Sequence, residues 1–260
     1  MARIAGCLCL CVATVLSWDS PAHAQTRDAA AILAATREAL GGEKNLTAIK
    51  TFVATGRTRQ LRGDNLIPIE FEIACELPDK YVRKDEFPAQ DTDATVSGFR
   101  GDELILGPQP PAGRGGGGPP PAQRLAMVRQ DFARLMLGVF AASLPDYPLT
   151  FKYAAEGEAP EGKADILDVA GPPPFAVRFV IQRETHLPVM LMWQQPAPPT
   201  AAGGAPPETR LYFADYRDVK GTKWPFRIRR AVAGTTTEEM TFDRVNVNVK
   251  IDPKKFEAPK

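Results

Sequence analysis

The sequence predicts a mainly β protein with two helices, in which a strongly curved antiparallel sheet of about eleven strands carries both helices on its concave face. Apolar and polar residues alternate over many short segments, as in half-buried strands, and two longer segments have helical spacing. The connections are short, which favours antiparallel neighbours. A flat sheet of this size tends to curl or split, whereas a curved sheet buries the apolar stripes of both helices.

The clearest strands lie near the C-terminal end, between residues 207 and 249. Alternation predicts strands over Arg210–Tyr216, Trp224–Val232 and Thr237–Val249, with glycine-containing turns between them. In the third strand the apolar positions change from even to odd numbers after Phe242, which indicates a β-bulge.

Length and composition exclude several classes of protein. The 260 residues allow one large β domain or two small ones, and the 25 prolines and 21 glycines favour turns over a helical bundle. The net charge is +1, from 32 basic and 31 acidic residues, and no block of like charge stands out. The sequence therefore gives no indication of nucleic-acid binding.

Residues 1–24 have the features of a cleaved secretory signal peptide. Arg3 precedes the apolar segment Ile4–Trp18, which is too short to span a bilayer comfortably, and an A-x-A site stands before Gln25. We therefore expect export, and a mature chain over residues 25–260 that forms a single domain.

Removal of this segment leaves one cysteine, Cys75, and one histidine, His186. A single cysteine cannot form an internal disulfide, and the two residues are too few for a metal site of the His/Cys type. Calcium binding by carboxylates alone stays open, although no EF-hand loop is present, and we predict no cofactor. Lipidation at Cys7, Cys9 or Cys11 would require that residue to be retained; we interpret all three as apolar filler.

Helical spacing predicts a first helix over Asp28–Leu40. Gly41-Gly42 follows it, as is typical of a helix C-cap, and Thr26 or Asp28 could cap its start. We expect this helix to pack on the sheet.

The second helix is predicted over Gln123–Val139. Its wide apolar stripe is either core or an adaptable lid over an apolar pocket. The stripe consists of Leu125, Val128, Phe132, Leu135 and Met136. Gln130 and Arg134 are expected to face away from it, with Met127 and Leu137 towards the same side.

The remaining strands fall into two groups, before and after the second helix. The first group is Thr51–Gln60, Leu66–Leu77, Tyr81–Glu86, Thr92–Phe99 and Glu103–Leu106. The second group is Leu149–Ala155, Lys163–Val169, Phe175–Gln182 and Pro188–Gln195. Two low-complexity segments rich in proline and glycine, near 108–121 and 196–207, are predicted to be flexible loops.

Several of these features together resemble the periplasmic lipoprotein carriers of the LolA/LolB type and their relatives, the outer-membrane lipoprotein-sorting proteins. They are the first helix with Gly41-Gly42, the hairpin Phe179–Val189, the segment Tyr216–Pro225 and the C-terminal residues Val245–Phe256. The resemblance covers most of residues 26–260 as a pattern of elements. It implies a periplasmic, unclosed half-barrel of eleven antiparallel strands with a helical lid, whose concave apolar cavity binds acyl chains.

The resemblance also implies a functional arginine in the first strand region, for which Arg57, Arg59 and Arg62 are alternatives. The insertion Pro108–Pro121 departs from the well-studied carriers.

Our first hypothesis is a non-enzymatic carrier or sensor, a monomer that holds a lipid or lipoprotein acyl chain between the sheet and the helices. Burial of each methylene stabilises such a complex by about 0.8 kcal/mol. The apolar cleft is predicted to be lined by strand residues that share the concave face, although the same residues could be ordinary core. They are Ile69, Phe71, Ile73, Phe175, Val177, Phe179, Leu191, Trp193, Leu211 and Phe213.

The second hypothesis is a cell-envelope interaction or scaffold domain with the same fold and no bound lipid. The proline-rich loops and the strand Trp224–Arg230 would then contact a protein partner. Arg227, Arg229 and Arg230 could equally be a solvated strand face.

The third hypothesis, a hydrolase, is disfavoured. Ser97 and Ser143 lack the G-x-S-x-G context, and a catalytic triad would have to include His186. Paired carboxylates could come from Asp165, Asp168 or Glu184, but carboxylates on strands usually face water.

Overall fold

The computed structural model describes residues 28–63, 65–108, 119–160, 162–195 and 206–259. The predicted signal peptide and most of both low-complexity loops lie outside these ranges, so these predictions remain expectations. Among the residues described, no helix combines the length and apolar character needed to cross a membrane.

The described residues form three α-helices and twelve β-strands. The helices are α1 (Ala29–Ala39), α2 (Glu43–Ala48) and α3 (Pro121–Phe140). The strands before α3 are β1 (Thr51–Arg62), β2 (Asn65–Glu76), β3 (Lys80–Glu86), β4 (Thr95–Arg100) and β5 (Glu103–Gly107). Those after it are β6 (Thr150–Ala159), β7 (Gly162–Ala170), β8 (Ala176–Gln182), β9 (Pro188–Gln194), β10 (Glu208–Val219), β11 (Thr222–Val232) and β12 (Thr235–Val247).

All twelve strands belong to one antiparallel, open, curved sheet in the order β5-β4-β3-β2-β1-β12-β11-β10-β9-β8-β7-β6. The predicted fold class is therefore confirmed, with twelve strands where about eleven were expected. The short helix α2 was not predicted. Strands β1 and β12 meet in the middle of the sheet, so the two halves of the chain join there.

The C-terminal strands follow the predicted turn chemistry. Lys220 and Gly221 between β10 and β11 have φ angles of 52° and 84°, and Ala233 and Gly234 between β11 and β12 have 48° and 82°. Two-residue turns with both φ angles positive match the right-handed twist of a hairpin. The register of the β1–β12 pair shifts after Thr55, opposite the place where the apolar positions change in β12, which confirms the bulge.

Helix α1 begins and ends as its sequence predicts. The carboxylate of Asp28 accepts a hydrogen bond from the backbone N–H of Ala30 (3.0 Å), and glycines with positive φ follow the helix. The buried hydroxyl of Thr36 donates to the carbonyl of Ile32 (2.9 Å), so this buried polar group is satisfied. Arg37 donates to the carbonyl of Phe140 (2.7 Å) and so ties α1 to the last turn of α3.

The main core lies between the concave face and α3. Gly138 permits a close approach, because a Cβ at this position would lie 2.1 Å from Cζ of Phe213 on β10. At the other side of α3, the ring of Phe132 packs on Tyr81 and Phe99, with centroids 4.8 Å and 5.3 Å away. The curved sheet therefore contacts the helix on more than one side.

A second, smaller core covers part of the convex face. Phe256, in a 3₁₀ turn over Pro253–Phe256, is buried against Ala74, Val82 and Ile105.

Candidate functional site

A cavity of about 350 Å³ lies between the concave face and the middle of α3. Its volume is within the range of about 300–1,000 Å³ that is usual for small-ligand pockets. The apolar part of its lining comes from the sheet, from the residue after β3 and from one face of α3. It consists of Ile69, Ile73, Tyr81, Phe87, Leu211, Ile228, Met240, Val128 and Leu135.

Strand register explains why the cavity has an apolar and a polar part. One row across the sheet is apolar apart from Thr58, which is itself buried; it comprises Ile69, Thr58, Met240, Ile228 and Phe213, on β2, β1, β12, β11 and β10. The next row on the same face comprises Gln60, Glu238, Arg230 and Leu211. Because side chains on one face recur every second residue, the change from apolar to charged takes place over two residues, from Ile228 to Arg230 on β11 and from Met240 to Glu238 on β12.

Six charged side chains of alternating sign extend from the sheet across the cavity to α3. In spatial order this charge chain consists of Asp85, Arg83, Glu238, Arg230, Asp131 and Arg134. Three are acidic and three are basic, so their formal charges cancel.

The contacts within the charge chain differ in length. Nε of Arg83 donates to Oδ1 of Asp85 at 2.7 Å, and its Nη2 is 3.5 Å from Oε1 of Glu238. Nε of Arg230 is 3.6 Å from Oε2 of Glu238, and its Nη2 is 4.0 Å from Oδ1 of Asp131. Burial opposes the charge of Arg83, but Asp85 and Glu238 outweigh this effect and raise the pKa of Arg83.

Arg134 is the most deeply buried member of the charge chain, with 8% of the residue exposed. It donates to Asp131 (2.9 Å), and its guanidinium carbon lies 4.4 Å from the ring centroid of Trp193. Burial lowers the pKa of Arg134. Arg134 and Leu137, which were expected to face away from the apolar stripe, are both buried as well. The reason is that β9 and β11 pack against a second side of the helix.

The predicted cleft residues are divided between the cavity and the packed core. Ile69, Ile73 and Leu211 line the cavity, and Phe71 lies between the two isoleucines on the same face of β2 with its ring beneath Arg83. The others are buried in the main core: Phe175, Val177, Phe179, Leu191, Trp193 and Phe213.

The predicted lid residues are also divided. Val128 and Leu135 line the cavity, together with Asp131. Phe132 and Met136 are fully buried in the core, and Leu125 packs partly buried against it. The C-terminal half of α3 therefore fills much of the concave face, and the cavity lies under the middle of the helix.

The sequence analysis assigned no charged residue to the cavity and interpreted Arg230 as a partner contact or part of a solvated strand face, although a signal for its position exists. Arg230 continues the apolar register of Phe226 and Ile228, and Glu238 precedes Met240 at the same spacing of two. A charged side chain in the register of a buried strand face must find a partner there. This conflict within a strand pattern is the feature that sequence analysis could have used.

The LolA/LolB resemblance offered three candidates for a functional arginine, and the structure describes the side chains of two of them. Neither of these two lines the cavity. Arg57 and Arg59 are exposed and alternate with the buried Ala54 and Thr58 of β1, so they face away from the cavity. Arg57 pairs with Asp243 at 3.0 Å.

The residues considered for hydrolysis are dispersed. Ser97 lies in the cavity on β4, whereas His186 is exposed in the turn between β8 and β9, in the other half of the sheet. Asp165 is buried and pairs with Arg183 at 2.8 Å. Asp168 points to the opposite face of β7, because the two positions are three residues apart, so these carboxylates do not form a pair.

A second hollow is an open groove of about 580 Å³ beside α1 and α2. Leu33, Leu46, Phe140 and Leu144 contribute to its apolar surface, and charged side chains such as Arg37 also line it.

The fold is similar to several solved structures. A LolA superfamily protein from Nitrosomonas europaea has a TM-score of 0.59 and 13% identity over 89% of this chain and 98% of its own. The chain has a LolA-like fold. An outer membrane lipoprotein-sorting protein domain from Vibrio parahaemolyticus has a TM-score of 0.53 and 9% identity, over 88% of this chain and 97% of its own.

A DUF1329 family protein from Desulfovibrio piger has a TM-score of 0.52 and 9% identity, over 89% of this chain and 98% of its own. No model of a protein family and no curated protein sequence matches the chain. The LolA-like resemblance seen in the sequence is thus confirmed at the level of the fold, since identities this low show the fold alone.

Proposed function

We propose that this protein is a non-enzymatic periplasmic carrier or sensor that binds a lipid or lipoprotein acyl chain between the curved sheet and α3. The observation that carries the proposal is the cavity of about 350 Å³, whose apolar lining comes from both the sheet and the helix. The LolA-like fold supports it, because one similar structure is described as an outer membrane lipoprotein-sorting protein domain.

The energetics favour an oily ligand on the apolar part of the cavity. Each methylene that leaves water for this surface contributes about 0.8 kcal/mol, so eight methylenes contribute about 6 kcal/mol before the entropy of binding is subtracted. A longer chain needs more room than the cavity offers. The first half of α3 can supply this extra room at a lower free-energy cost than the second half. The reason is that residues 121–131 are exposed or half-buried, whereas residues 132–134 and 136–140 are buried.

Binding can be tested by native mass spectrometry of the exported protein and by titration with a fluorescent fatty acid. Ile69→Trp places a larger side chain in the cavity and should weaken binding of the fatty acid by tenfold or more. Leu66→Trp is a matched control, because Leu66 lies on the same strand but is 58% exposed. A ligand-free mass together with no binding of the fatty acid would contradict the proposal.

The interaction-domain hypothesis has one observation in its favour, the apolar groove beside α1 and α2. It predicts that an envelope protein co-purifies with the chain and that Leu33→Glu in the groove abolishes this association. Ile69→Trp in the cavity would then have no effect on the partner. This pattern, combined with the absence of bound lipid, would favour the alternative.

A further inference from the structure

The charge chain lowers the stability that the fold could otherwise have, because its charged groups are partly removed from water. A cavity that only has to hold an acyl chain does not need such charges. The side chains of Glu238 and Arg230 are 17% and 28% exposed, so both have lost much of their hydration. Replacement of such a pair by apolar residues is often neutral or stabilising. Stability alone therefore does not explain charges at these two positions.

Within the charge chain, Arg230 and Glu238 have the loosest contacts. Asp85 has Arg83 at 2.7 Å and Asp131 has Arg134 at 2.9 Å, whereas the contacts of Glu238 and Arg230 measure 3.5–4.0 Å. A charge-assisted hydrogen bond is normally shorter, at about 2.7–2.9 Å. Both groups therefore line the cavity with hydrogen-bonding capacity that their present contacts use poorly.

A β-bulge sets the position of this pair. Arg230 is paired with Glu238 in register, but the next residue of β11, Ala231, is paired with Thr236, so Thr237 is the extra residue. Bulges re-aim neighbouring side chains and are frequent beside functional sites. Here the bulge lies next to the two loosely paired charges.

We propose, on the basis of the proposed function, that the ligand is an amphipathic molecule whose head group carries both a positive and a negative charge. Glu238 accepts hydrogen bonds from its ammonium group, and Arg230 donates to its phosphate or carboxylate. The acyl chain lies on the apolar row of Ile69, Met240 and Ile228, in which Met240 and Ile228 are two residues from Glu238 and Arg230 along the same strands.

The alternation of charge is what favours such a head group over a purely anionic one. An anion bound by Arg230 would also lie close to the carboxylates of Glu238 and Asp131, which are 3.6 Å and 4.0 Å from its guanidinium. Their repulsion offsets part of the attraction. A zwitterion brings its own ammonium group to Glu238 and so removes this penalty.

The experiment compares two lysophospholipids with the same acyl chain, one with a phosphoethanolamine and one with a phosphoglycerol head group, as competitors of a fluorescent fatty acid. The unmodified protein should bind the zwitterionic lipid about tenfold more tightly. Glu238→Gln should reduce this preference to within about threefold, and Arg230→Gln should weaken both lipids by about tenfold. Asp243→Asn is the matched control, because Asp243 pairs with Arg57 across adjacent strands on the exposed face; it should change neither affinity.

Free phosphoethanolamine, without an acyl chain, tests whether the head group alone is the ligand; competition as strong as that of the lysolipid would overturn the proposal. Equal binding of the two lysolipids by the unmodified protein, or an unchanged preference in Glu238→Gln, would overturn it too and leave the carrier function standing. If neither lysolipid nor the fatty acid binds, the proposed function itself fails. The preference of the unmodified protein remains a readout even if a variant does not fold.

Discussion

The contact between Gly138 and Phe213 gives the sharpest test of how α3 sits on the sheet. Alanine at position 138 would place its Cβ 2.1 Å from Cζ and 2.3 Å from Cε1 of Phe213. Two carbon atoms in ordinary contact are about 3.5–4.0 Å apart. Helix α3 must therefore move by more than 1 Å, or the buried ring must leave its position.

The net cost follows from two opposing terms. Alanine is better than glycine in a helix interior by about 1 kcal/mol, whereas overpacking of a tight core costs about 1–3 kcal/mol. Gly138 is in the buried half of α3, where neighbouring side chains such as Leu137 are fully buried and restrict any shift. We expect the upper part of that range, and hence a net loss of about 2 kcal/mol for Gly138→Ala.

Urea denaturation followed by circular dichroism measures this change in the free energy of unfolding. Ala126→Gly, at an exposed position of the same helix, gives the propensity term alone, about 1 kcal/mol. In a Phe213→Leu background, Gly138→Ala should become neutral or stabilising, because the ring is gone. If Gly138→Ala is as stable as the parent protein, α3 does not lie this close to β10 and the cavity boundaries derived from its position are wrong.

Three further predictions follow from buried and paired groups. Arg134→Met should leave the free energy of unfolding within about 1 kcal/mol of the parent. Arg134→Ala should lower it by about 2 kcal/mol more, because alanine loses the packing on Trp193. Urea denaturation of both variants measures the difference. A hydrogen bond from Arg37 lowers the pKa of Glu43, so its contribution is present above about pH 4.5 and is lost as the pH falls through the folded-state pKa. Glu43→Gln should therefore be less stable than the parent at pH 7, by less than about 1 kcal/mol because the carboxylate is exposed, and the difference should disappear as the pH falls below the folded-state pKa. Burial raises the pKa of Cys75, so in a variant shortened to residues 25–260 a thiol reagent should react with the native protein at least about 100-fold more slowly than with the protein in urea.

The sheet could be predicted from the sequence because the residue patterns that specify its strands and turns are local. Alternation along β2 and the turns at Lys220-Gly221 and Ala233-Gly234 each depend on a few neighbouring residues. The bulge in β12 was visible for the same reason, since it changes the parity of the apolar positions after Phe242. These features require no knowledge of which strands become neighbours.

The environment of α3 could not be predicted in this way. An amphipathic stripe describes a helix with one buried side, but this helix lies inside a curved sheet that contacts it from β4 and β5 and also from β9 and β11. Arg134 and Leu137 lie on a second side of the helix, away from the stripe, and are buried there as well. The position of α3 on the sheet likewise decides which residues of the concave face line the cavity and which belong to the core. That position depends on contacts between segments that are distant in the sequence.

The cavity and the charge chain are two aspects of one feature. A row containing Arg230 and Glu238 cannot be covered by apolar helix side chains, so the helix supplies Asp131 and leaves space around the charges. The double variant Arg230→Leu/Glu238→Leu removes this constraint, and Arg83 and Asp131 keep Asp85 and Arg134 as partners. We expect it to gain about 1–4 kcal/mol in the free energy of unfolding and to lose the preference between the two lysophospholipids, since neither charge of the head group then has a partner. A double variant that is less stable than the parent would show that the charges hold the helix in place, and the cavity would then be a consequence of the salt bridges alone.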